Sequence, residues 1–177
     1  MSGHSRWSQV KHKKAITDAK RGQLFSKLVR EIMVATRDGG PDPSTNSRLH
    51  AALEKARQAG LPKDNAERAV SRASGNNGDQ PLQEFLYEVV GPGSVYILVE
   101  GITDNSNRTL AEVKQILTKY DAKTVPPGSL LWNFEKAWTE EEKNYKPHTS
   151  LEAPPEKRER IKQLLDELMN QDDVQKV

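Results

Sequence analysis

The residues with a chemistry to offer stand at the front of the chain. Arg6, Lys11, Lys13, Lys14, Lys20, Arg21, Lys27 and Arg30 are the eight cations of the first 30 residues, set against one acid, Asp18. Trp7 and His12 lie among them. Cations at this density neutralise phosphates and displace the counterions of a polyanion, which gives binding that weakens with salt. An indole between them offers a face on which a base can stack. The plain alternative is a solvated basic tail with Trp7 tucked against a helical bundle. Elsewhere the chain is poor in reactive groups. It has no Cys, so disulfides, thiol catalysis and thiolate metal sites are excluded. His4, His12, His50 and His148 are far apart and lack metal-ligand spacing. There is no HExxH, Walker loop, GxSxG or dinucleotide fingerprint. Ser26, Asp18 and His12 cannot make a triad on one basic helix, and Asp172-Asp173 point to opposite sides of a strand or turn. The expectation is a protein without enzymatic activity, cofactor or metal.

Charge then divides the 177 residues. Residues 1–74 carry 15 Lys and Arg against 7 Asp and Glu, whereas residues 75–177 carry 12 against 18. The net +2 therefore hides a basic unit and an acidic one. Their boundary falls at Ser74-Gly75-Asn76-Asn77-Gly78-Asp79, a turn-forming composition, so a linker is expected over 75–80. The two units are expected to unfold with separable stability. Mean hydropathy is −0.80, with 34% hydrophobic residues, so each core must be small. No apolar run approaches the roughly 20 residues of a membrane span. No signal-peptide core is present either, so a soluble protein of a reducing compartment, the cytoplasm, is expected, and it is expected to be a monomer.

In the basic unit, Leu24, Phe25, Leu28, Val29, Ile32 and Met33 recur in pairs four apart and form one helical stripe from about Ile16 to Arg37. Lys20, Lys27, Arg30 and Arg37 fall opposite, with Gln23 the main side chain able to read a base. Asp38-Gly39-Gly40-Pro41 ends the helix. A second helix is expected from about Asn46 to Ala59, and a third from Pro62 to about Ser71 with Pro62 in its first turn. The segment before Ile16 has almost nothing to bury and is expected to be a mobile arm that orders on a phosphate backbone.

In the acidic unit, Glu84–Val90 and Ser94–Gly101 are β-rich runs joined by Gly91-Pro92-Gly93, which reads as a tight hairpin. A phosphate-cradling glycine loop is the sharper alternative, but no helix follows it directly. Thr103-Asp104-Asn105-Ser106-Asn107 supplies caps for a helix carrying Leu110, Val113, Ile116 and Leu117. A short strand over Ser129–Phe134, a helix over Pro155–Asn170 and a last strand over Asp173–Val177 follow. The expected fold is an α+β multidomain chain: a three-helix domain (1–74), then a ferredoxin-like α/β domain (81–177) with an extra hairpin strand at its front. Arg108, before the helix, could reach a backbone or a partner, or serve as a hydrogen-bonded cap neighbour.

Taken together, several blocks resemble the YebC/PmpR family. They are Gly3-His4-Ser5-Arg6-Trp7, Val10-Lys11-His12-Lys13-Lys14-Ala15, Asp18-Ala19-Lys20-Arg21-Gly22 and Phe25 to Ile32. Further along come Pro62-Lys63-Asp64-Asn65, Tyr87-Glu88, Gly91-Pro92-Gly93, Thr103-Asp104-Asn105 and Asn107-Arg108-Thr109. Trp132-Asn133-Phe134-Glu135 and Asp172-Asp173-Val174-Gln175 complete the set. The resemblance implies a non-enzymatic cytoplasmic or mitochondrial protein that binds nucleic acid. It implies either a DNA-binding transcriptional regulator or a ribosome-associated factor that helps translation through proline-rich stretches. The family's third domain, inserted within the second, is expected to be absent or reduced to a loop around Glu140-Glu141-Glu142, near 136–150. Because the basic helix offers cations rather than base-reading amides, ribosomal RNA is favoured over DNA as partner. A protein-interaction adaptor working through the acidic domain is the competing class.

Overall fold

The computed structural model describes residues 3–75, 81–141, 143–149 and 155–177, with side chains described outside 3–16 and 143. Three helices come first: α1 (Gly3–Gly39), α2 (Ser47–Gln58) and α3 (Lys63–Ser74). Their core is Leu28, Ile32 and Ala35 of α1 against Leu49, Ala52 and Ala56 of α2, closed by Leu61 and Ala69. Small contact residues let the three axes approach closely, so little apolar mass is needed. Leu24, expected in the buried stripe, is exposed, while Val34 and Thr36 outside it are buried. The long first helix is therefore covered on more than one side.

α1 corrects one expectation. Its backbone is helical from Gly3, 37 residues and about 55 Å, rather than from about Ile16. No proline interrupts residues 3–39, and Gly22 costs only about 1 kcal/mol relative to alanine, too little to break the run. The α1–α2 turn is held by Asn46. Its Oδ1 accepts the amide of Leu49 at 3.0 Å as N-cap, and its Nδ2 donates to the carbonyls of Ala35 and Gly40, each at 2.8 Å. Pro62 stands at the cap of α3 rather than inside its first turn.

The second unit contains β1 (Gln83–Val90), β2 (Tyr96–Thr103), α4 (Ser106–Lys119), β3 (Lys123–Val125), β4 (Phe134–Trp138), β5 (Lys143–Pro147), α5 (Pro155–Met169) and β6 (Val174–Lys176). The sheet runs β3-β1-β2-β6 and is antiparallel throughout. Val89 of β1 with Ile97 and Val99 of β2 face one side, where Val113 and Leu117 of α4 and Leu164 and Leu168 of α5 cover them. Two helices on one face of a four-stranded antiparallel sheet is the ferredoxin-like class. The front hairpin strand is nonetheless not a peripheral addition, because β1 lies in the middle of the sheet. The strand expected over Ser129–Phe134 is corrected to a 3-10 turn at Leu131–Asn133 followed by β4, which leaves the sheet to pair with β5. This β4–β5 hairpin occupies the region near 136–150 where the family's third domain was expected to be absent or reduced to a loop. Gly101 lets β6 come close: a Cβ there would lie 2.2 Å from the carbonyl oxygen of Asp173 and 2.3 Å from the Phe85 ring.

Candidate nucleic-acid interface

α1 carries the basic residues, and the structure divides them into groups. Arg6, Trp7, Lys11, His12, Lys13 and Lys14 have side chains outside the described residues. Their backbone lies in the first turns of α1. Lys20 and Arg21 are exposed, and the Arg21 guanidinium sits 5.3 Å from the centre of the Phe25 ring, a cation–π contact that directs it along the helix. Both side chains face solvent.

Lys27 and Arg30, expected among the phosphate contacts, are turned inward. Lys27 is 8% exposed and its Nζ donates to the carbonyl of Met169 at 2.5 Å. Burial lowers its pKa and the Arg30 charge adds to that, while the carboxylates of Asp172 and Asp173 act in the opposite direction. Arg30 donates to the carbonyl of Asp172 at 2.9 Å and pairs with the carboxylate of Asp173. Gln23, the one candidate base reader, donates to Asp172 Oδ1 at 2.9 Å. The helix face that looks solvated in sequence is the docking face for the turn between α5 and β6. Arg37, on the same helix, donates to the carbonyl of Leu82 and pairs with Asp38.

Asp173 is the centre of this junction, and sequence reasoning missed its role. Its side chain is 2% exposed. One oxygen takes Arg30 from the helical unit, and the other takes Arg108 at 2.9 Å and Thr109 Oγ1 at 2.5 Å from α4, with Thr103 Oγ1 at 3.2 Å. Burial opposes its ionisation, but the hydrogen bonds from Thr109 and Arg108 and the charges of Arg30 and Arg108 outweigh that. The carboxyl is held below the usual aspartate range. Arg108 also donates to Asp104 at 2.8 Å, and its guanidinium pKa is raised by these two carboxylates. It is therefore held beside the helix start by two carboxylates, with 43% of its side chain still exposed. The signal in the sequence was the pairing of Thr103-Asp104-Asn105 with Asp172-Asp173 among the family blocks, which motif reading alone could not connect in space.

Among the described residues, no cluster of three or more His, Asp or Glu could hold a metal ion, and no helix is long and apolar enough to cross a membrane. The described chemistry amounts to cations along one helix, two of them exposed at Lys20 and Arg21 and three, Lys27, Arg30 and Arg37, engaged by the protein itself.

Residues 5–76 match the family model described as the TACO1/YebC protein N-terminal domain, and residues 82–139 match that of the TACO1/YebC second and third domain. A protein of Treponema denticola is 50% identical over 136 residues, covering 77% of this chain and 55% of that protein. One from Dictyoglomus turgidum is 48% identical over the same length. Both are named probable transcriptional regulatory protein. The chain spans about half the length of these curated relatives. A crystal structure of a conserved hypothetical protein from Aquifex aeolicus superposes with a TM-score of 0.81 at 32% identity, over 97% of this chain and 94% of that one.

Proposed function

Because the chain belongs to the TACO1/YebC family, we propose that it is a nucleic-acid-binding regulator of gene expression that acts through α1, with structured ribosomal RNA as its main target. The reading makes it a non-enzymatic, monomeric, cytoplasmic factor that helps the ribosome through proline-rich stretches. The observation that carries it is the charge of α1 ahead of its packed part: six cations, from Arg6 to Arg21, and one acid, Asp18, precede Phe25. Arg6, Lys11, Lys13, Lys14, Lys20 and Arg21 supply the phosphate contacts, with Trp7 and His12 beside them. Lys27, Arg30 and Arg108 are left to the internal junction. Gln23 is engaged by Asp172, so the helix offers few groups that distinguish base pairs. Backbone-directed cations suit folded RNA, whose loops expose unstacked bases to an indole.

The names of the relatives favour a second reading, a DNA-binding transcriptional regulator. Co-sedimentation with ribosomes and binding to promoter DNA, both at physiological salt, separate the two. Ribosome association that is lost when Lys11, Lys13 and Lys14 are replaced by alanine, beside weak and unselective DNA binding, supports the RNA reading. Nanomolar, sequence-selective DNA binding without ribosome association would make the transcriptional reading correct instead.

A further inference from the structure

The joint between the two units is made from the groups that a phosphate backbone would use. On α1, Gln23, Lys27 and Arg30 stand four and three positions apart, on one stripe of the helix. Against this stripe the turn between α5 and β6 sets a row of oxygens. Gln23 donates to the carbonyl of Asn170 and to the carboxylate of Asp172, and Lys27 to the carbonyl of Met169. Arg30 takes the carbonyl of Asp172 and the carboxylate of Asp173. Three carbonyls and two carboxylates from residues 169–173 thus offer the acceptors, and the negative charge, of a run of phosphates. Lys20 lies seven positions before Lys27, two turns along the same stripe, and is exposed. The open and the covered cations share one line.

The joint is also built to be exchanged. The apolar cores of the two units have no residue in common, and further bonds across the joint, Arg48 to Glu84 and Arg37 to the carbonyl of Leu82, are polar as well. Two clefts of about 330 and 430 Å³ run between the units, one lined by Arg48 and Glu84, the other by Met33 and Leu82. Domains joined by a small polar surface move relative to each other. When Arg30 leaves, Asp173 keeps its donors from Arg108, Thr109 and Thr103 within its own unit, so opening orphans no buried carboxylate.

We propose that the α5–β6 turn is an internal stand-in for a phosphate backbone: it covers a second anion site at Gln23, Lys27 and Arg30, and RNA laid along Lys20 displaces it. The inference rests on the RNA-binding reading of α1 and gives that site a closed and an open form. The chain has no Cys, so Gln23→Cys with Asp172→Cys supplies the two thiols for a short bis-maleimide bridge that holds the joint closed. Both positions reach solvent, and the reference is the same double variant capped with N-ethylmaleimide, which should melt as the parent does. Binding of the full chain to a labelled RNA hairpin is measured across a salt series. The capped protein should open and neutralise two more phosphates, so the bridge should flatten the log–log salt slope by about 1.4–1.8 and weaken binding roughly tenfold. Asp172→Asn with Glu84→Gln, which loosens the joint without touching a cation, should bind roughly threefold or more tighter than the charge-matched Glu156→Gln, Glu159→Gln control at the other end of α5. Equal slopes, with affinities within twofold, for the bridged and capped proteins would overturn the covered site and leave the α1 reading standing. Failure of the parent itself to bind the hairpin would overturn both.

Discussion

Replacing Asp173 should loosen the joint between the two units. Its carboxylate is almost fully buried and bridges Arg30 of α1 to Arg108 and Thr109 of α4. Removing one member of a buried pair typically costs about 3–5 kcal/mol, because the remaining charge stays desolvated. Here Arg108 is 43% exposed and regains water, whereas Arg30 is 20% exposed and does not. Asp173→Ala should therefore cost about 2–4 kcal/mol, and Asp173→Asn, which keeps hydrogen bonds to the threonines, about half as much. The assay is urea unfolding of the full chain, with an Arg30→Met, Asp173→Asn double-mutant cycle. The coupling should exceed about 0.5 kcal/mol, the usual limit of additivity for independent sites. The pH dependence follows from the direction of the shift. A folded-state carboxyl below the ordinary aspartate value of about 3.9 stabilises fully above that pH and loses its contribution as pH falls through the folded value. The difference between parent and Asp173→Asn should accordingly shrink on acidification. A loss below about 0.5 kcal/mol at neutral pH, or an additive cycle, would refute the bridging role.

Three further outcomes follow from local geometry. Asn46→Ala removes a helix cap and two hydrogen bonds, to the carbonyls of Ala35 in α1 and Gly40 just beyond it, and should cost about 2 kcal/mol, a fall in melting temperature of about 4–8 °C for a chain this size. Gly101→Ala forces a Cβ against the backbone of Asp173, and should cost about 1–3 kcal/mol and speed amide exchange at Ile102, which donates to the Asp173 carbonyl at 2.8 Å. Glu88→Ala orphans the amides of Gly128 and Leu130, so it should cost about 1–3 kcal/mol and raise hydrogen exchange across 126–133. Normal exchange there would show that the loop is held by other contacts.

Much of this protein is written locally. The pairs Leu28–Ile32 and Leu49–Leu53 fix helical faces, Asn46 and Asn105 announce helix starts, and Gly91-Pro92-Gly93 joins two β-rich runs. Each signal acts over a few residues, where spacing alone decides which side chains share a face. The segregation of charge between the two units is equally a property of the chain. Which cations face solvent is not. Lys27 and Arg30 lie on the polar side of their helix by periodicity, yet that side meets residues some 142 positions away. Their engagement depends on a second unit docking there, which a helical pattern cannot reveal. Likewise β1 joins β3 in the sheet while β4 leaves it, because β3 and β6, distant in sequence, occupy the two edges of the β1–β2 hairpin. Asp173, one of two adjacent acids in sequence, becomes the centre of the joint only when Arg30 and Arg108 converge on it from two units. Tertiary packing removes the water that would otherwise screen those charges, and that desolvation separates the structural cations Lys27 and Arg30 from the solvent-facing Lys20 and Arg21.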